Sequence, residues 1–167
     1  MEEGSDIGWR DLEGGFRLTG KSIEGIVDIG TKAVVERRAI AKGRVHLQPA
    51  TKEAITTGTV NKGDVIEAST VAAIQAVKDT PRIIPHCHPI PLEGTRVEWH
   101  WENNDLWCVV EVNAHYKTGI EMEAITGVCA GLLCVFDMVK SLEKDERGQY
   151  PSAKISDVQV VEKFKAA

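Results

Sequence analysis

Four short stretches of this chain carry residue types able to do acid–base, nucleophilic or ligand chemistry. In Pro85-His86-Cys87-His88-Pro89, two imidazoles and a thiol sit between rigid prolines, so these side chains are fixed without a regular element to hold them. Two uses fit that pattern. His86, Cys87 and His88 could bind a metal, since residues two apart in an extended strand point the same way, or they could hydrogen-bond a polar substrate. Metal binding is the weaker fit, because no second ligand pair follows at a zinc-like spacing and His100 and His115 belong to a hairpin pattern. The turn Asn61-Lys62-Gly63-Asp64 sets Lys62 directly before a helix N-terminus, where backbone donors and the helix dipole favour an anion. Lys62 either grips a phosphate there or is a solvated turn lysine beside a capping Asp64. Glu121-Met122-Glu123 places two carboxylates in a first helical turn, which the dipole favours whether or not they do chemistry. Asp137 and Lys140 interrupt an apolar stretch at i, i+3, close enough for a salt bridge. An ionic pair on a core-facing helix needs compensation, and we read it as an acid–base pair lining a cavity.

These residues need a frame, and the hydrophobic periodicity describes one. Positions 33–47 read as a strand pair, and 49–58 holds one short helix. Asp64, with Glu67 three positions on, has the pattern of an N-cap and capping box, so a helix runs to about Lys78 with Val71, Ile74 and Val77 on its buried face. Four of the six prolines crowd into 81–91, predicting an extended, rigid segment. Val97, Trp99 and Trp101 alternate with Glu98, His100 and Glu102, and Asn103-Asn104-Asp105 turns the chain into 106–116, which together predict a β-hairpin with one wet side. Ile125, Val128, Cys129, Leu132, Leu133, Phe136 and Val139 follow helical spacing within 120–142, the expected main core helix. A polar loop over 144–152 precedes a last strand at 155–162. This order predicts an α+β sandwich, a mostly antiparallel sheet with helices packed on one face. Residues 1–22 hold five of the fifteen glycines and no periodicity, so they read as an extension outside the core, anchored by Trp9, Leu12, Phe16 and Leu18, and 23–167 as a single catalytic domain.

The whole-chain quantities narrow the function further. At 167 residues, 43% hydrophobic and 27% charged, the chain is one globular domain long enough to bury a core. A formal net charge of −5 argues against nucleic-acid binding through a broad basic face, while leaving room for local lysines to hold an anionic small molecule. Cys87, Cys108, Cys129 and Cys134 show no paired spacing and read as reduced thiols of a cytoplasmic protein. With no apolar leader after Met1–Asp6 and no run of eighteen apolar residues, neither secretion nor a membrane span is expected. Geometry adds one constraint. Fourteen positions of unbroken helix separate Glu123 from Asp137 by ~21 Å, too far for both to touch one reacting centre. A site shared between identical chains is the simpler arrangement.

KGDV at 62–65, IPHCHPIPL at 84–92, TGIEMEA at 118–124 and FDMVK at 136–140 together resemble the cyclic pyranopterin monophosphate synthase family, the C proteins of molybdenum-cofactor biosynthesis, over about 26–163. The resemblance implies a ferredoxin-like subunit that assembles into a homohexamer, a trimer of dimers, with active sites at the dimer interface. It implies conversion of a cyclised dihydroguanosine triphosphate, derived from GTP, into cyclic pyranopterin monophosphate with release of pyrophosphate. Asp137 matches the family's catalytic aspartate, Lys140 its partner lysine, and Lys62 a lysine essential to the rearrangement. His86, Cys87, His88, Met122 and Glu123 match substrate-contacting segments, Glu121 and Arg37 fall at further site positions, and Lys163 matches a C-terminal site lysine. The chemistry moves protons on and off nitrogen and oxygen and expels pyrophosphate, so it needs Asp, Lys and Arg side chains and calls for no redox or radical cofactor; no metal is assigned. Two other readings compete: a metal-dependent hydrolase built on His86, Cys87 and His88, and a non-catalytic module that binds purine nucleotides.

Overall fold

In a computed structural model of the chain, residues 15–18 and 21–167 are described. Strands β1 (Gly15–Leu18) and β2 (Lys21–Glu24) pair only with each other, and the expected anchors Trp9 and Leu12 lie outside the described residues. The main body runs β3 (Val35–His46), α1 (Pro49–Thr56), α2 (Val65–Ile83), β4 (Gly94–Glu102), β5 (Asp105–Tyr116), α3 (Glu121–Val139) and β6 (Lys154–Lys165). Its four-stranded sheet has the order β4-β5-β3-β6, every pair antiparallel. With α1 and α2 between the first two strands and α3 between the last two, this is the ferredoxin-like α+β arrangement.

Strand alternation decides which sheet face meets the helices. Ala39, Ala41 and Val45 of β3 and Leu106, Cys108, Val110 and Val112 of β5 are buried beneath Val128, Leu132 and Val135 of α3. Gly43 makes that contact close, since a Cβ there would stand 2.9 Å from side-chain carbons of Val128, Leu132 and Val158. The β4–β5 hairpin forms as the alternation predicts, with Asn103 at φ 54°, a left-handed conformation that asparagine tolerates. Trp99 Nε1 donates to Thr70 Oγ1 at 2.9 Å, tying β4 to α2.

Several expectations are corrected. The strand pair expected over 33–47 is one long strand, Val35–His46, because β3 is paired along both edges, by β5 and by β6. Helix α2 continues past Lys78 to Ile83 with Pro81 inside it. Proline removes the donor owed to the Val77 carbonyl, and the Thr80 hydroxyl supplies it instead, reaching Val77 O at 3.2 Å. The buried face of α2 is Ser69, Ala73, Ala76, Val77 and Thr80, while Val71 is 62% exposed. Small residues face α3 because the two helices pack at short range: a Cβ on Gly127 would lie 2.6 Å from Val77 Cγ2. On α3 itself Leu133 points to solvent, and Gly127 and Gly131 lie in the buried stripe. Among the described residues α3 alone is long and apolar enough to cross a membrane, and it is the core helix, packed on α2, β3, β5 and β6.

Candidate functional site

All of the sequence-predicted site residues except Arg37 gather in two places, one at each end of α3. At its N-terminal end a cavity of about 390 Å³ is walled by His86, Cys87 and His88 from the loop after α2, and by Glu121, Met122 and Glu123 from the first turn of α3. Lys163 closes another side. Although it lies near the chain end, β6 runs on through Lys165, so a strand paired to β3 at Ala39 holds it. Its ammonium bridges Glu121 Oε1.

The proline-rich loop is not extended throughout. Cys87 N–H donates to Ile84 O at 3.0 Å, closing a tight turn with Pro85 in its preferred second position. That turn, rather than strand alternation, sends both imidazoles toward the segment ahead of β3. His86 Nδ1 bonds the Gly25 carbonyl, and His88 Nε2 bonds the Val27 carbonyl at 2.8 Å. A carbonyl only accepts, so each of those nitrogens carries a proton, which assigns the tautomer of either ring when neutral. The segment thus clipped down brings Val27, Ile29 and Lys32 into the cavity wall. Lys117 Nζ secures it further along, donating to Gly30 O at 2.8 Å. No site residue was expected in this wall, because its apolar residues recur only loosely and the carbonyls that anchor it leave no side-chain signal. Among the described residues no group of three or more His, Cys, Asp and Glu side chains is disposed to hold a metal ion.

Electrostatics separates the cavity's two carboxyls. Glu121 is neutralised by Lys163, whereas Glu123 is only 3% exposed and burial pushes its pKa up to about 7, a nearby Glu121 adding to the shift. The Cys87 thiol is also raised, by burial first and by Glu123 second, so it is protonated at neutral pH. Arg37 is not in the cavity. Its guanidinium, almost wholly buried, donates to Tyr116 O at 3.3 Å and Lys117 O at 3.4 Å, fixing the end of β5 just before Thr118 and Gly119 enter the wall.

At the other end of α3, Asp137 sits between two lysines. Lys140 Nζ donates to Oδ1 at 2.6 Å, and Lys62 Nζ donates to Oδ2 at 2.6 Å and to the Asp137 carbonyl at 3.0 Å. Lys62 arrives from the turn ahead of α2, whose N-cap Asp64 accepts from Glu67 N–H at 2.8 Å. Among the described residues the Asp137 and Lys140 side chains are 55% and 45% exposed, so the pair lies on the surface of the chain rather than facing its core as expected. The two ammonium groups, Lys140 foremost, hold the Asp137 carboxyl down at about 2, and Lys140 is raised in turn. A carboxylate gripped on both oxygens is a fixed anion that aims two proton donors at one place.

The pattern of the MoaC family matches residues 26–166. The chain belongs to the MoaC family. It is 52% identical over 140 residues, 84% of its length, to a protein of Thermococcus kodakarensis, covering 90% of that relative. It is 51% identical over 151 residues to a protein of Pyrococcus abyssi, spanning 89% of this chain and 95% of the relative. A Sulfolobus acidocaldarius relative is 50% identical over 141 residues, with 84% and 99% covered. All three bear the name probable cyclic pyranopterin monophosphate synthase. Both clusters described above, and the clipped-down segment over 25–32 except Gly25, lie within the matched span.

Proposed function

We propose that this chain is a cyclic pyranopterin monophosphate synthase of molybdenum-cofactor biosynthesis, a lyase converting the cyclised dihydroguanosine triphosphate derived from GTP into cyclic pyranopterin monophosphate and pyrophosphate. The observation that carries this reading is half identity, over 84% or more of the chain, to relatives bearing that name. Incubation with the cyclised triphosphate, following pyrophosphate release and the pterin product, tests it; a chain that binds this substrate without turning it over would be a nucleotide-binding module instead.

In this reading the cavity at the start of α3 takes the substrate, and the Asp137 group supplies the chemistry. Asp137 is ionised throughout the neutral range, so it enters as a base or as a fixed anion, and the ammonium groups of Lys62 and Lys140 are the proton donors. Glu123, with a pKa near 7, can take or give a proton at the opposite end of the substrate. Continuous α3 keeps the two clusters ~21 Å apart in one chain. A complete site therefore takes its cavity from one protomer and its Asp137 group from another, within a dimer that a hexamer of three dimers would repeat. Such an enzyme works in the cytoplasm.

A further inference from the structure

The only charged side chain in the described structure with no exposure at all is Glu143, at 0%, and neither cluster uses it. It follows the turn that ends α3, where Leu142 N–H donates to Val139 O at 2.8 Å. Its Oε1 accepts from Gln48 N–H at 2.9 Å, and its own carbonyl accepts from Gln48 Nε2 at 3.4 Å. Its Oε2 has no hydrogen-bond partner among the described residues. Burying a carboxylate with one oxygen unmatched costs stability, and the helix dipole at the start of α1 offsets only part of that. Local capping of α1 would need no buried charge: a Ser or Asp at Gln48 could do it, yet the Gln48 side chain makes no cap bond. The donor that a local cap leaves free is instead used to tie α1 to a residue 95 positions away.

What this tie joins is specific. Lys140 stands three residues before Glu143. On the other side, α1 leads to Lys62 through a loop folded back on itself by Thr59 N–H to Ala54 O at 2.9 Å and Gly63 N–H to Val60 O at 3.0 Å, with Val60 in the core. Glu143 thus links the two backbone segments that deliver Lys62 and Lys140 to opposite oxygens of Asp137. We infer that Glu143 is a positioning residue, a buried clamp that sets the spacing of the Asp137 group; this rests on the reading of that group as catalytic. Its demand is for an acceptor at Oε1, and the charge is dispensable.

Four variants of the full chain test the clamp. Glu143→Gln keeps the acceptor and should hold kcat within about threefold of the parent. Glu143→Leu keeps the volume without the acceptor, and should lower kcat at least about tenfold with KM within about twofold, since misplacing a reacting group by about 1 Å costs on that scale. Gln48→Pro deletes the backbone donor and the Gln48 Nε2 contact together, at a residue whose φ of −67° proline already matches, and should lower kcat in the same way if Glu143→Leu does not fold, whereas Gln48→Ala, which loses only the Nε2 contact, should hold kcat within about threefold. Each rate is taken per folded molecule from the circular dichroism melting curve. Unchanged kcat in folded Glu143→Leu or Gln48→Pro, a loss confined to KM, or equal loss in Glu143→Gln and Glu143→Leu would overturn the inference. If the parent itself shows no turnover, it is the functional reading that has failed. The clamp is then read from the carbon-13 carboxyl resonance of Asp137, which should move in Glu143→Leu and hold in Glu143→Gln; an unmoved resonance in the leucine variant overturns it.

Discussion

Glu123 and Asp137 occupy one unbroken helix fourteen positions apart, and their surroundings drive their carboxyls in opposite directions, Glu123 up to about 7 by burial and Asp137 down to about 2 by two lysines. At neutral pH one end of α3 therefore carries an exchangeable proton and the other a permanent anion.

For Asp137, the amide variant Asp137→Asn keeps volume but loses the charge that aligns Lys62 and Lys140. Turnover should fall by about 10²- to 10⁴-fold. The melting temperature should barely change, because exposed ion pairs contribute little to stability. Near-normal turnover in a steady-state assay would make the group a surface ion network.

Glu123 should leave a signature in stability against pH. Its folded pKa is raised from 4.5 to about 7, so the folded state holds the proton more tightly; the stabilisation is complete below about 4.5 and is lost as pH rises toward 7. Glu123→Gln removes that slope. Urea unfolding of both proteins between pH 5 and 8 should show the variant gaining on the parent by on the order of 2 kcal/mol, levelling off above neutrality. A difference independent of pH would refute the shift.

Subunit mixing should distinguish the clusters. Because Lys62 and Lys140 both grip Asp137 within one chain, mixtures of Lys62→Ala and Lys140→Ala protomers should not recover activity. Lys140→Ala mixed with Lys163→Ala should recover up to about a quarter of parental activity after subunit exchange, since a mixed dimer regenerates one intact site of two. No recovery, with exchange shown by mass spectrometry, would mean that each site is built within one chain.

His88→Ala should damage turnover more than His100→Ala. His88 lies in the cavity wall and holds the Val27 carbonyl, whereas His100 is exposed on the hairpin and stacks on Trp107 with ring centroids 6.2 Å apart. Equal losses in parallel assays would remove His88 from the substrate wall, and a metal released only from the His88 variant would make it a ligand.

The sequence revealed whatever depends on residues adjacent in the chain. The β4–β5 hairpin was legible because one buried face imposes strict alternation on Val97, Trp99 and Trp101. The cavity motifs at 86–88 and 121–123 were legible because each is contiguous. The last turn of α2 was not, since the rule that proline ends a helix yields here to a hydroxyl on Thr80. The buried stripe of α2 was misread because its close packing selects Ala and Ser, which a search for large apolar residues passes over. The exposure of Asp137 was misjudged because the apolar residues around it lie on other faces of α3. Lys32 and Glu143 act through folding contacts with distant segments, and nothing in their neighbours announces them.

The strap across the cavity has a consequence for how this protein can vary. His86 and His88 grasp Gly25 and Val27 by their main-chain carbonyls, which every amino acid supplies. Mutations at these two positions therefore leave the grip unaltered so long as the backbone path is kept; at Gly25 a side chain meets open space, while at Val27 it also forms part of the cavity wall. An insertion or deletion of a single residue is different: it shifts one carbonyl out of step with its imidazole, so this stretch tolerates substitution while its length is fixed.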